Sequence, residues 1–188
     1  MHLDWTSQDI GLLENNHFKH FGIEPSFNID AAQLKKQYLK ISRDYHPDFH
    51  TDKSEDEQAE ILQLSSYNNK AYKVLNQFDT RFKYILLLHG VDFEEGKQSL
   101  PQMFLMEMMD FNEKLMDVQM EGDLSKLDNL KAELMEIEES LYSGVSSTIE
   151  NYNQDNISES ELESLKEYFF KKKYLLRIHE NLNKFANS

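Results

Sequence analysis

Glycine and proline, 6 and 3 residues respectively, are the only strong chain breakers in a sequence of 188 residues. Tight turns between strands draw on these two residue types more than on most others, so an all-β domain of this length would need many more of them. The stretches they leave uninterrupted are long and suit helices. In one of them Leu127, Leu130, Leu134, Ile137 and Leu141 recur at steps of three and four, the seam of a helix that packs on other helices. The expected fold class is all-α.

The chain has enough to bury: 39% of its residues are hydrophobic, with 12 Phe and 9 Tyr among them, which sets it apart from a disordered polypeptide. It has no cysteine, which excludes disulfides, thiolate metal sites, cysteine nucleophiles and an iron–sulfur cluster held by the chain itself. The stretch Met1 to Glu14 is polar and acidic, and no run approaches the roughly 18 apolar residues of a membrane span. A cytoplasmic protein is expected. The net charge of −14 argues against nonspecific nucleic-acid binding through phosphates. That charge is unevenly spread: residues 1–90 carry 10 basic against 13 acidic side chains, and residues 91–188 carry 10 against 21. Two electrostatically different modules are indicated.

Asp30 is placed to cap a helix in which Leu34, Tyr38, Ile41 and Tyr45 form an apolar stripe. Lys36, Lys40 and Arg43 fall about half a turn away, with Lys35 at their flank, so the other face is basic. Pro47 should stop this helix at or just before His46, because proline disfavours helical geometry in its predecessor. A second helical pattern runs from Glu55 to Phe78, with Ile61, Leu64, Ala71, Tyr72, Leu75 and Phe78 available to one face. A shorter apolar segment, Phe82 to His89, ends at Gly90.

The second half contains three helical patterns, Pro101 to Gly122, Leu124 to Tyr142 and Ser158 to Phe185. Ser143 to Asn156, rich in Ser and Asn, reads as a loop between the last two. In the first of them Phe104, Met108, Phe111, Leu115 and Val118 make one apolar stripe. Leu105, Met109, Met116 and Met120 make another, about a third of a turn round. Five of the 8 methionines lie between Met103 and Met116, and such unbranched side chains suit adaptable binding surfaces. A bundle helix touching two neighbours would also need a wide apolar face, so periodicity leaves the second stripe open between core and binding surface.

The basic helix, the loop opening His46-Pro47-Asp48 and the following helix with Asn69-x-Ala71-Tyr72-x-x-Leu75 together resemble the J domain. The segment Tyr84-Ile85-Leu86-Leu87-Leu88-His89-Gly90, followed by Phe104-Leu105-Met106-Glu107, is similar to the HscB branch of that family, which joins a J domain to a three-helix client-binding domain. The domains implied are a J domain with a short N-terminal extension at 1–92, a linker at 93–100 and the client-binding bundle at 101–188. The resemblance implies a co-chaperone, not an enzyme, and no cofactor. Its partners would be a DnaK/HscA-type ATPase chaperone and, as client, an IscU-type iron–sulfur scaffold protein; the rival readings are a J-domain protein with an unrelated client and a non-catalytic helical adaptor. The residues that match the chaperone-binding face are Lys35, Lys36, Lys40, Arg43, His46, Pro47 and Asp48. Those that match the client face are Leu105, Met106, Met109, Asp110 and Glu113, with Tyr174 on the last helix. Two positions depart from the family pattern: Phe49 stands where lysine usually follows the loop aspartate, and Asn112 replaces a residue often charged.

Blander readings compete at several positions. X-Pro-Asp is often no more than a turn, and a Lys/Arg face is usually just solvated. His46, Asp48, His50 and Asp52 offer donors to a divalent ion, but alternate positions in a polar loop enforce no geometry, and no metal is expected. His89 reads as a helix-end residue near terminal carbonyls. No convergent set of titratable groups argues for catalysis.

Overall fold

The computed structural model describes residues 16–93, 100–122 and 124–186, apart from the side chains of Leu124, Phe185 and Ala186. The polar stretch Met1 to Glu14 and most of the expected linker, residues 94–99, lie outside the described residues. Among the described residues all regular structure is helical, and no helix is long and apolar enough to cross a membrane. The chain divides into two compact units, Met1–His89 with Tyr152–Asp155, and Gly90–Asn151 with Asn156–Ser188.

The first unit begins with a short helix, α1 (His17–Phe21), whose first amides are capped by Asn16. It ends at Gly22, whose φ of 62° needs a residue without Cβ strain. Helix α2 (Ala31–Asp44) starts where Asp30 Oδ1 accepts the amides of Ala32 at 2.8 Å and Gln33 at 3.1 Å. It stops three residues before Pro47. Helix α3 (Glu55–Asn76) opens with a reciprocal cap: Ser54 Oγ accepts the Glu57 amide, and the Glu57 carboxylate accepts the Ser54 amide at 3.0 Å. Helix α4 (Phe78–Leu88) follows after Gln77 alone.

Helices α2 and α3 form an antiparallel hairpin. Tyr38 stacks on Tyr72 at 4.1 Å and donates its hydroxyl to Asn69 Oδ1 at 2.9 Å. Asn68, only 1% exposed, joins its own helix to two others. Its Nδ2 donates to Ser42 Oγ at 2.8 Å and to the Tyr38 carbonyl at 3.2 Å, and its Oδ1 faces His20 Nε2 of α1 at 3.0 Å. Below this the apolar core gathers Phe18, Phe21, Phe27, Leu34, Leu75, Phe82 and Ile85, each such side chain worth about 1.5–3 kcal/mol when taken out of water. Arg81 is buried there too. Its Nε donates to the Phe27 carbonyl at 3.0 Å, its guanidinium also donates to the Leu75 carbonyl, and burial pulls its pKa down.

The apolar stripe expected on α2 fades along its length. Leu34 is fully buried, Tyr38 and Ile41 are half-buried, and Tyr45, which follows the last helical residue, is exposed. On α3 Ala71 and Leu75 are buried as expected, whereas Leu64 is exposed.

The second unit is a three-helix bundle of α5 (Gln102–Glu121), α6 (Leu124–Glu150) and α7 (Glu159–Ala186). Its core takes Phe104, Met108, Phe111, Leu115 and Val118 from α5, Leu127, Leu130 and Leu134 from α6, and Leu175, Ile178 and Leu182 from α7. Lys114 Nζ meets Glu133 Oε1 at 2.6 Å between α5 and α6, and His179 meets Glu138 at 3.0 Å between α6 and α7. The loop expected at Ser143 to Asn156 is a correction: α6 continues through Ser143 to Glu150. Val145 and Ile149 extend the buried seam, and the hydroxyls of Ser143 and Ser146 are absorbed by carbonyls three residues back at 2.8 and 3.1 Å. Serine that bonds its own helix backbone need not end it.

Candidate functional site

Two surfaces carry the residues singled out from sequence, one on each unit. On the first unit Lys35, Lys36, Lys40 and Arg43 are all exposed along α2. Arg43 Nε lies 3.6 Å from Asp44 Oδ1, while no carboxylate of the described residues lies within ion-pair distance of Lys35, Lys36 or Lys40. Their charge is therefore directed at solvent or a partner. Leu39, exposed on the same side, was missed by sequence reasoning because it falls off the apolar stripe.

The helix leads straight into the loop. His46 is extended at φ −75°, ψ 124°, and caps a single 3-10 turn, Pro47–Phe49. His46 Nδ1 accepts the Asp48 amide at 3.3 Å and lies 3.9 Å from Asp48 Oδ2, so the two polar side chains of the tripeptide share one corner. Pro47 fixes its own backbone angle at the first position of the turn. His46, Pro47 and Asp48 are all exposed. Phe49 is 67% exposed, with its ring 5.3 Å from that of His46, an apolar surface that the usual lysine would not offer. His50 Nε2 meets the Asp44 carbonyl at 2.8 Å, tying the loop back to the end of α2. His89 ends α4 through its backbone amide, but its imidazole pairs with the Tyr152 hydroxyl at 2.8 Å rather than with carbonyls, and burial holds its pKa below the usual imidazole value.

On the second unit the two apolar stripes of α5 differ in burial. Every residue of the first stripe is buried, whereas Leu105, Met106 and Met109 are 37%, 58% and 69% exposed. Asp110 and Glu113 are exposed on the same side. Asn112 turns back on its own helix, its Nδ2 donating to the Met108 carbonyl at 2.7 Å. Tyr174 is half-buried against the core, edge-on to Phe104 at 5.8 Å.

Residues 100–183 match the family model described as the HSCB C-terminal oligomerisation domain. A co-chaperone protein HscB homolog of Neisseria meningitidis serogroup A is 31% identical over 146 residues, covering 77% of this chain and 88% of the relative. The chain belongs to the HscB co-chaperone family. The human iron-sulfur cluster co-chaperone protein HscB is 30% identical over 169 residues, covering 89% of this chain and 67% of its own length. The crystal structure of human HscB superposes with a TM-score of 0.68 at 27% identity, covering 89% of this chain and 80% of that one. The chaperone HscB from Vibrio cholerae gives 0.67 at 22%, covering 92% and 98%. This HscB-family chain is thus a co-chaperone with an N-terminal J domain and a C-terminal helical bundle, as its sequence resemblance implied.

Proposed function

We propose that this HscB-family co-chaperone serves iron–sulfur cluster assembly by bringing an IscU-type scaffold to a DnaK/HscA-type chaperone and stimulating that chaperone's ATPase, and that it does so in the cytoplasm. The observation that carries the reading is the continuity of the exposed basic face of α2 with the exposed His46-Pro47-Asp48 corner. A cationic helix orients an acidic partner and speeds its arrival more than it adds affinity. The corner then meets the docked ATPase with an imidazole, a carboxylate and a proline-fixed backbone. This chain makes and breaks no bond; hydrolysis is the partner's chemistry.

The client side of the reading is supported by the exposed Leu105, Met106 and Met109 beside Asp110 and Glu113. Apolar side chains ringed by carboxylates can bury against a scaffold while the charges set its orientation. Tyr174 belongs to the same reading through its contact with Phe104, from which it can steady the helix that carries the face. The experiment that tests the whole is single-turnover ATP hydrolysis by a purified HscA-type chaperone, measured alone, with this chain, and with this chain plus an IscU-type scaffold. Stimulation by the chain, increased further by the scaffold, is the expected result. No stimulation over the chaperone alone in either mixture would remove the reading.

A further inference from the structure

Helix α5 carries sulfur where folding does not require it. Met106, Met109, Met116 and Met120 are exposed and fall on one side of the helix, centred roughly 150° from the stripe of Phe104, Met108, Phe111, Leu115 and Val118 that makes the bundle core. Met108, next in sequence to Met109, is 0% exposed. With no cysteine in the chain, thioethers are its only sulfur. A thioether on a binding face adapts to its partner, but as a sulfoxide it becomes polar and loses that apolar contact.

We propose that Met106 and Met109 form a reversible oxidation site, at which a peroxide converts both thioethers to sulfoxides and so releases the client from α5 without unfolding the bundle or changing ATPase stimulation by the first unit. In each step a sulfur lone pair attacks the peroxide, the O–O bond breaks and an S–O bond forms; sulfur loses two electrons and hydrogen peroxide leaves as water. A methionine sulfoxide reductase, drawing on thiols, returns the thioether and releases the oxygen as water. The site rests on the client reading given above.

The test uses the full chain, hydrogen peroxide, and a purified IscU-type scaffold as the binding probe. Peptide mass spectrometry should find one added oxygen at Met106 and at Met109 before any at Met108. Circular dichroism should stay unchanged while scaffold affinity falls roughly tenfold or more, since two interface anchors are altered, and reductase treatment should restore it. The double variant M103L/M135L, altered outside that face, should lose scaffold binding on oxidation as the wild type does. Equal binding by reduced and oxidised chains would overturn the site and leave the client reading standing. A peroxide-resistant double variant, binding lost in step with oxygen at Met116 or Met120 rather than at Met106 and Met109, or helicity lost in step with binding, would also overturn it. If the reduced chain does not bind the scaffold, the client reading fails and the site with it.

Discussion

His46 Nδ1 accepts the backbone amide of Asp48 at 3.3 Å, which holds the imidazole over the turn rather than free of it. Glutamine at position 46 could still cap the turn but would present an amide in place of the ring. On the proposed function, in which the exposed loop acts on the partner, His46→Gln should therefore abolish stimulation of the partner ATPase while helicity and thermal unfolding stay near wild type. Equal stimulation by variant and wild type in the single-turnover assay would dismiss the loop as a mere turn.

Reversing Lys36 and Lys40 to Glu, on the exposed face of α2, should weaken the chaperone complex mainly by slowing association. Added salt should weaken the wild-type complex in the same sense, because charges beyond the screening length of about 8–10 Å lose their attraction. Stopped-flow association rates across a salt series would read both. A complex insensitive to the substitutions and to salt would mark this face as simply solvated.

Asn68 is the polar hub of the first unit, bonded to Ser42, Tyr38 and His20 at 1% exposure. Asn68→Ala would leave those groups without their partner and should cost about 1–3 kcal/mol in urea unfolding. A loss below about 0.5 kcal/mol, the range of ordinary surface changes, would show that these contacts are replaceable by water.

The Ser54–Glu57 cap gives a pH-dependent term. Hydrogen bonds from the Ser54 side chain and backbone hold the Glu57 carboxyl below its ordinary value of 4.5. A depressed carboxyl contributes its stability in full above the unfolded value and loses it as the pH falls through the folded one. Glu57→Gln should therefore lower helix stability near neutrality and show a shallower loss than wild type as the pH drops below 4.5. Parallel acid titrations of the two proteins by circular dichroism would contradict the cap's ionic character.

Much of this architecture could be read from single residues. Asp30 and Pro47 bracket α2, and the buried stripe Phe104, Met108, Phe111, Leu115 and Val118 follows its sequence spacing residue for residue. What escaped has physical causes. Helix α1 has five residues, too short for any periodicity to show. The end of α6 looked like a loop because its serines are polar, yet their hydroxyls bond within the helix while Val145 and Ile149 hold the seam. The Asn68 hub joins residues 26 to 48 positions apart, which no local pattern encodes. At the candidate site the exposure of Leu39 and Phe49 was hidden for the same reason: a sequence records that a side chain is apolar, not whether anything covers it.

That same ambiguity on α5 can be tested by stability. Leu115 is 4% exposed in the bundle core, so truncating it to Ala should cost about 2–5 kcal/mol through lost burial and the cavity left behind. Leu105, Met106 and Met109 are exposed, and changing all three to Ala should leave urea unfolding close to wild type, helped by alanine's high helix propensity. Binding should show the reverse order of sensitivity. Interface anchors commonly cost more than about 1 kcal/mol each when truncated, so the triple variant should lose the scaffold while still stimulating the ATPase by itself. If the triple variant unfolds as readily as Leu115→Ala, the three side chains are core, and the client must bind elsewhere on the acidic bundle.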